Sequence, residues 1–189
     1  MDHLTTLLLE AQRGDADALE RFVAATQHDV VSLCRYLGDP DNAEDLAQEA
    51  YERAFASLHR YRATGPAKHW LLTITRRTCA DATRRRSRRR RTEQRALNMA
   101  HDVFDEFTPV DGGVAIDELL HELDDDRRAA FVLTQLTGLR YDEAAEILGV
   151  PIGTIRSRVA RARDQLLDAL LATEAETTEP ERRRQRPHR

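Results

Sequence analysis

DEAAEILGVPIGTIRSRVARARDQLLDALL, residues 142–171, decides the fold of this chain. Ala144, Ala145, Ile147 and Leu148 predict a very short helix, Gly149 the tight turn after it, and Pro151 sits where a first helical position accepts proline. Beyond the turn, Ile155, Val159, Ala162, Leu166 and Leu170 recur at i, i+4, i+7, i+11 and i+15, one apolar stripe of a longer helix. Short helix, glycine turn and second helix make a helix-turn-helix in outline. On a 100° wheel Arg156, Ser157, Arg158, Ala160 and Arg161 fall on the arc away from the stripe. Arginine forks suit guanine edges, serine reaches bases or phosphates, and alanine leaves room in a major groove. The alternative is an exposed arginine-rich helix that packs only on its neighbour.

Upstream of this motif the same unit starts near Val114. Val114, Ile116, Leu119, Leu120 and Leu123 predict one short helix. Asp124 to Asp126 then give an acidic start to a second helix, packed through Ala130, Phe131, Leu133 and Leu136 and ended by Gly138. Asn98 to Gly113 mixes acids, Thr-Pro and Gly-Gly and reads as a linker between two helical units.

The first unit runs from residue 1 to 97. Leu4 to Arg13 forms a helix stopped at Gly14, and Asp15 caps the next, which carries Leu19, Phe22, Val23, Val30, Leu33 and Leu37. Gly38-Asp39-Pro40 breaks it. Asp41 with Glu44 is a capping box for a helix with Ala43, Leu46, Ala47, Ala50, Ala54 and Leu58 inward and Asp45, Gln48, Glu49 and Glu52 as an outer acidic strip. That strip is a solvated face or a docking face. His59 to Pro66 predicts a loop in which Tyr61, between Arg60 and Arg62, offers a surface for stacking bases. A helix follows from Trp70, with Leu71, Ile74, Thr78 and Ala82 on one side, and then turns into arginine: seven of the eight residues Arg84 to Arg91. Such a run needs a polyanion or open water, and nucleic-acid phosphate is the obvious polyanion.

The overall charge of −4 hides stripes. Residues 1–59 carry 4 Arg against 12 acids, 60–95 carry 13 basic residues against 2 acids, and 96–149 carry 3 Arg against 13 acids. Acidic and basic blocks of one chain can dock on each other, or the basic blocks can meet nucleic acid while the acidic ones face proteins. The composition, rich in Ala, Leu, Arg and Glu, is that of an all-α protein. Cys34 and Cys79 stand far apart in sequence without clustered histidines, so neither a zinc site nor a disulfide framework is expected. No cofactor is expected, and no glycine-rich phosphate loop or nucleophile–base pair suggests an enzyme. With no leader signal and no apolar run of membrane-spanning length, the expectation is a cytoplasmic protein without membrane insertion.

Three segments carry a family resemblance. DNAEDLAQEAYERAF (41–55) resembles D-A-x-D-L-x-Q-E-x-F/Y, WLLTITR (70–76) resembles W-L-x-x-I-A-R, and YDEAAEILGVPIGTIRSRVARAR (141–163) resembles a region 4 helix-turn-helix. In that order and spacing they identify the chain as similar to sigma-70 family RNA polymerase sigma factors of the extracytoplasmic-function (ECF) group, in their actinobacterial form, over about Leu4 to Leu171.

The resemblance implies two small helical domains, region 2 (1–97) and region 4 (114–173), joined by a flexible linker (98–113); the tail 174–189, ending PERRRQRPHR, has no family role and is expected to be disordered. Core RNA polymerase would dock on Asp45, Gln48, Glu49 and Glu52, through the clamp helices of its largest subunit. Arg60, Tyr61, Arg62, Lys68, Trp70, Arg76, Arg77, Arg84 and Arg85 would contact the −10 element of promoter DNA, capturing a flipped base. Arg156, Ser157, Ala160 and Arg161 would read −35 base edges, with Thr154, Arg158 and Arg163 nearer phosphate. An anti-sigma factor wedged between the units would silence it, as would closure of the units on each other, and the sequence leaves both open. Departures are Arg77 where the family often has Asn, Thr75 for Ala, and Arg140 where Ser or Thr often caps a helix. A stand-alone helix-turn-helix regulator is the rival reading; it leaves residues 41–55 and the Trp70 helix unexplained.

Overall fold

The computed structural model describes residues 1–96 and 114–184, with side chains over 1–89 and 117–171. The segment 98–113, read as a linker, lies outside the described residues. All described secondary structure is helical, in two units that touch.

Four helices build the first unit. The Asp2 carboxylate accepts the Thr5 N–H at 3.0 Å and opens α1 (His3–Gln12), which buries Leu7 and Leu8. Asp15 accepts the Ala18 N–H at 3.0 Å and opens α2 (Ala16–Leu37), whose Phe22, Val30 and Leu33 are fully buried. At Gly38 an added Cβ would stand 2.7 Å from the Cys34 carbonyl oxygen and 2.8 Å from Leu46 Cδ1, so the chain turns against the next helix only with glycine there.

That next helix, α3 (Ala43–Ala56), corrects the expected capping box: Asp41 lies inside a 3-10 turn over Pro40–Asn42, and no side chain caps the helix. Pro40 fixes φ and tightens the chain, so the α-helical register begins at Ala43, and Asn42 Nδ2 donates to Asp39 instead, at 3.0 Å. The small residues Ala43, Ala47, Ala50 and Ala54 form its inner face.

The basic helix α4 (Ala67–Ala96) is one continuous element. Leu71, Leu72, Thr75, Thr78 and Cys79 are buried, whereas every described side chain from Thr83 to Arg89 is exposed. Thr75 and Thr78 donate to the carbonyls of Leu71 and Ile74 at 3.0 and 3.1 Å, which satisfies their hydroxyls inside the core. Cys34 and Cys79 meet where α2 crosses α4, Sγ to Sγ 3.8 Å, both buried, and the hydrogen bond with Cys79, together with burial, pushes the Cys34 thiol far up from its usual range. A thiol covered by the core is out of reach of a reagent, and one held protonated is also a poor nucleophile. In a native-state titration with an aromatic disulfide reagent neither should react until the unit unfolds; prompt labelling of either would contradict this packing.

The second unit holds α5 (Val114–Glu122), α6 (Asp125–Phe131), α7 (Tyr141–Leu148) and α8 (Ile152–Arg184). Asp124 caps α6 by accepting the Arg127 N–H at 2.9 Å. After Phe131 the chain widens into a π-turn, with the Thr137 N–H on the Val132 carbonyl at 3.0 Å, a turn the hydrophobic periodicity does not foretell. Gly149 adopts φ 67°, the left-handed conformation that the helix-turn-helix bend requires. Leu120, Leu133, Ile155, Val159 and Ala162 are buried. α8 is helical as far as Arg184, inside the stretch 174–189 expected from the sequence to be a disordered tail. No glycine or proline interrupts it between Thr154 and Glu179.

The two units close on each other. One hydrophobic cluster takes in Phe22, Leu33 and Leu71 of the first and Leu133, Ile147 and Ile155 of the second. Tyr36 Oη donates to Asp117 at 2.5 Å, Arg35 pairs with Asp117 at 3.3 Å, and His69 Nε2 stands 3.7 Å from Glu146. Burial and the Asp117 carboxylate push the Tyr36 phenol up to about 12.

Candidate functional site

The outer face of α3 is the first surface. Asp45, Gln48 and Glu52 are exposed, with Gln48 Nε2 donating to Glu52 at 3.1 Å. Glu49 is different. Arg53 reaches it at 2.6 Å and Arg85 at 3.0 Å, and Arg53 also pairs with Asp81 at 3.0 Å. The Arg53 guanidinium holds the Asp81 carboxyl below its ordinary range. Glu49 therefore ties α3 to the start of the basic rod, while the other three face outward. Beside them runs a groove between α2 and α3, about 750 Å³, floored by Val23, Val31, Tyr51 and Phe55. The sequence reading missed it, because a groove is a relation between two apolar stripes and neither stripe alone shows it.

The loop before α4 and the helix itself are the second surface. Arg60 and Arg62 are exposed, but Tyr61 differs from the expected open stacking surface: it is 6% exposed. Its ring lies against Trp70, centroids 5.1 Å apart, and its hydroxyl donates to the Gly65 carbonyl at 2.8 Å. Gln12 Nε2 reaches across to the Leu58 and Tyr61 carbonyls at 2.8 and 3.0 Å. An aromatic residue among arginines looked available from the sequence; here it anchors the loop. Lys68 is held to Asp29 at 2.6 Å, and Trp70 is half-buried. Arg77, Arg84 and Arg85 are exposed and Arg76 is half-buried.

On α8, the third surface, Arg156, Ser157, Ala160, Arg161 and Arg163 are exposed and Thr154 is half-buried. Ser157 Oγ donates to the Thr154 carbonyl at 3.0 Å, and Arg163 reaches Gln135 at 2.6 Å. Arg158 folds back onto α6 and pairs with Asp126. The closed arrangement sets Arg76 and Arg84 of α4 and Arg158 of α8 around one cavity of about 420 Å³ at the seam. Residues expected to contact the −10 and −35 elements thus meet across one cavity.

Comparison with known proteins agrees with this division. Residues 22–89 match the family described as Sigma-70 region 2, and residues 113–166 match Sigma-70, region 4. The chain is 43% identical over 165 residues to the ECF RNA polymerase sigma factor SigC of Mycobacterium tuberculosis, covering 87% of this chain and 89% of that one. Among solved structures it is similar to RpoE of Bartonella quintana in complex with the anti-sigma factor NepR, with TM-score 0.68 and 29% identity over 80% of this chain and 96% of that one. It is also similar to CnrH in complex with the cytosolic domain of CnrY, with TM-score 0.67 and 25% identity over 90% and 99% of the two chains.

Proposed function

This chain belongs to the sigma-70 family, in its extracytoplasmic-function group, and on that premise we propose how its helices divide the work of promoter recognition. It is a sigma factor: it binds core RNA polymerase and directs promoter-specific initiation of transcription. In the proposed division, residues 1–97 dock on the polymerase through Asp45, Gln48 and Glu52, with Glu49 bracing that face from behind, and engage the −10 element through Arg60, Arg62, Arg76, Arg77, Arg84 and Arg85. Tyr61, Lys68 and Trp70 hold the loop that presents them. Residues 114–173 read the −35 element with Arg156, Ser157, Ala160 and Arg161, while Thr154, Arg158 and Arg163 serve the flanking phosphates. The chain contributes recognition and the polymerase the chemistry, in the cytoplasm; no described helix is long and apolar enough to cross a membrane.

What carries this reading is that each unit ends in a helix whose buried half fixes an exposed, arginine-bearing half. Run-off transcription from fragmented genomic DNA with purified core polymerase tests it. Discrete transcripts that depend on the chain are expected, and duplex binding without polymerase association would instead leave a stand-alone regulator. On those promoters Arg156→Ala and Arg161→Ala should each cost about 1–3 kcal/mol of discrimination at the base contacted. An unchanged −35 preference in both variants would move the reading surface elsewhere.

The closed form is the resting state in this reading, because it turns Arg76, Arg84 and Arg158 toward each other and away from DNA. Docking on polymerase separates the units. The anti-sigma complexes of the structural relatives suggest that a protein wedge can hold this chain inactive as well. Small-angle scattering of the free protein should give a compact envelope that expands with Asp117→Lys plus Glu146→Lys. An extended envelope insensitive to salt and to these substitutions would remove self-closure.

A further inference from the structure

The cavity at the seam has a charge pattern that the contacts between the units do not neutralise. Arg76 and Arg84 stand on the α4 wall, Arg128 and Arg158 on the wall of the second unit, and Asp125 and Asp126 are the only carboxylates in the lining. Both carboxylates are already committed to their own wall, Asp126 to Arg158 and Asp125 to Arg128 at 3.3 Å. Arg84 reaches only Asp81, at 3.5 Å on its own helix, and among the described residues Arg76 makes no ion pair although it is half-buried. Arg76 is therefore left half-buried at the gap without an ion pair among the described residues, and Arg84, exposed and paired only on its own helix, flanks it on the same wall, so an anion entering the gap meets two guanidinium groups.

The remaining lining is of another kind. Leu37, Leu148 and Val150 supply an apolar shelf that a bare phosphate has no use for. At about 420 Å³ the cavity falls within the size range of small-molecule sites, a few hundred cubic ångströms with a few convergent polar groups. Arginine forks bind phosphate oxygens in pairs, which fixes orientation as well as charge.

We propose that this cavity binds a phosphorylated, ring-bearing metabolite of nucleotide size, its phosphates on Arg76 and Arg84 and its ring on the Leu148–Val150 shelf. The inference rests on the closed arrangement. Because the walls come from both units, the ligand binds the closed form alone, stabilises it by linkage, and competes with promoter DNA for the same arginines.

Calorimetric titration of the full-length protein with ATP, sodium tripolyphosphate and adenosine as probes, with scattering recorded on the same samples, tests this. The expected result is one ATP per chain, weaker tripolyphosphate, no adenosine binding, and an envelope that compacts with ATP. Arg76→Ser and, independently, the exposed Arg84→Ser should each weaken ATP by about tenfold or more. Arg88→Ser plus Arg89→Ser, farther along the same helix, should leave it within about twofold if binding is local rather than a property of the charged rod. Stoichiometry above one, or equal loss from the Arg88 and Arg89 pair, would reduce the site to nonspecific attraction. Tripolyphosphate binding as tightly as ATP would overturn the ring subsite. A compact envelope with no ATP binding sinks this inference alone; an extended envelope with no ATP binding sinks the closed resting state with it.

Discussion

Asp45→Arg combined with Glu52→Arg is expected to abolish co-purification with core polymerase, weakening the complex on the order of 100-fold. Both residues stand exposed on the outer face of α3. Asp45 makes no ion pair among the described residues, and Glu52 only accepts from Gln48 at 3.1 Å. Reversing them leaves the core untouched and costs the helix a few tenths of a kcal/mol at most, chiefly from a cation in the first turn. Glu49 is avoided on purpose. Reversing it would break the pairs with Arg53 and Arg85 and confuse a docking defect with a loosened α4. Pull-down with core polymerase, beside a thermal melt, reads the two effects separately. Undiminished binding with an unchanged melt would take the polymerase off this face.

Arg128→Ala is the second large effect, and it is one of stability. The Arg128 guanidinium donates to the carbonyls of Leu120, His121 and Leu123 at 3.0, 3.1 and 2.7 Å, collecting the C-terminal end of α5, and to the Tyr36 carbonyl of the other unit at 3.4 Å. Removing it strands carbonyls in a place the chain keeps largely dry. Each charge-assisted bond of this kind contributes roughly 1.5–3 kcal/mol and they share one side chain, so a loss of about 3 kcal/mol is expected in denaturant unfolding. Arg128→Lys should recover little, since one ammonium cannot span the fork. Near-wild-type stability of either variant would show that water replaces the guanidinium.

Much of this architecture was legible because its signals are local. The stripe from Ile155 to Leu166, Gly149 at its turn, and Asp15 and Asp124 at their caps each announce themselves within a few residues, and the structure places them as read. The misses share a physical origin. Asp41 and Glu44 have the spacing of a capping box, but Pro40 tightens the preceding turn and places Asp41 inside it, so the helix starts at Ala43 with Glu44 already in its first turn. Tyr61 and Lys68 read from sequence as open side chains, and their contacts with Trp70 and Asp29, distant or on another element, are not visible there. Arg128 was one basic residue in an acidic stretch, and its role depends on where α5 ends relative to α6. Striped charge pointed to docking between the units as one option, but the contacts that join them, Tyr36 with Asp117 above all, are single side chains that no charge count can name.

The continuous α4 also has a kinetic meaning. Starting a helix is the unfavourable step and lengthening it is not, and the buried turn from Leu71 to Cys79 removes the nucleation barrier for everything beyond. The arginines after it propagate from a preformed template, opposed only by repulsion between like charges three and four residues apart. Each phosphate that arrives cancels part of that repulsion and so favours the next turn. On the proposed −10 contact the rod would behave as a zipper seeded from the core, and amide hydrogen exchange should slow turn by turn from Thr83 outward when promoter DNA is added.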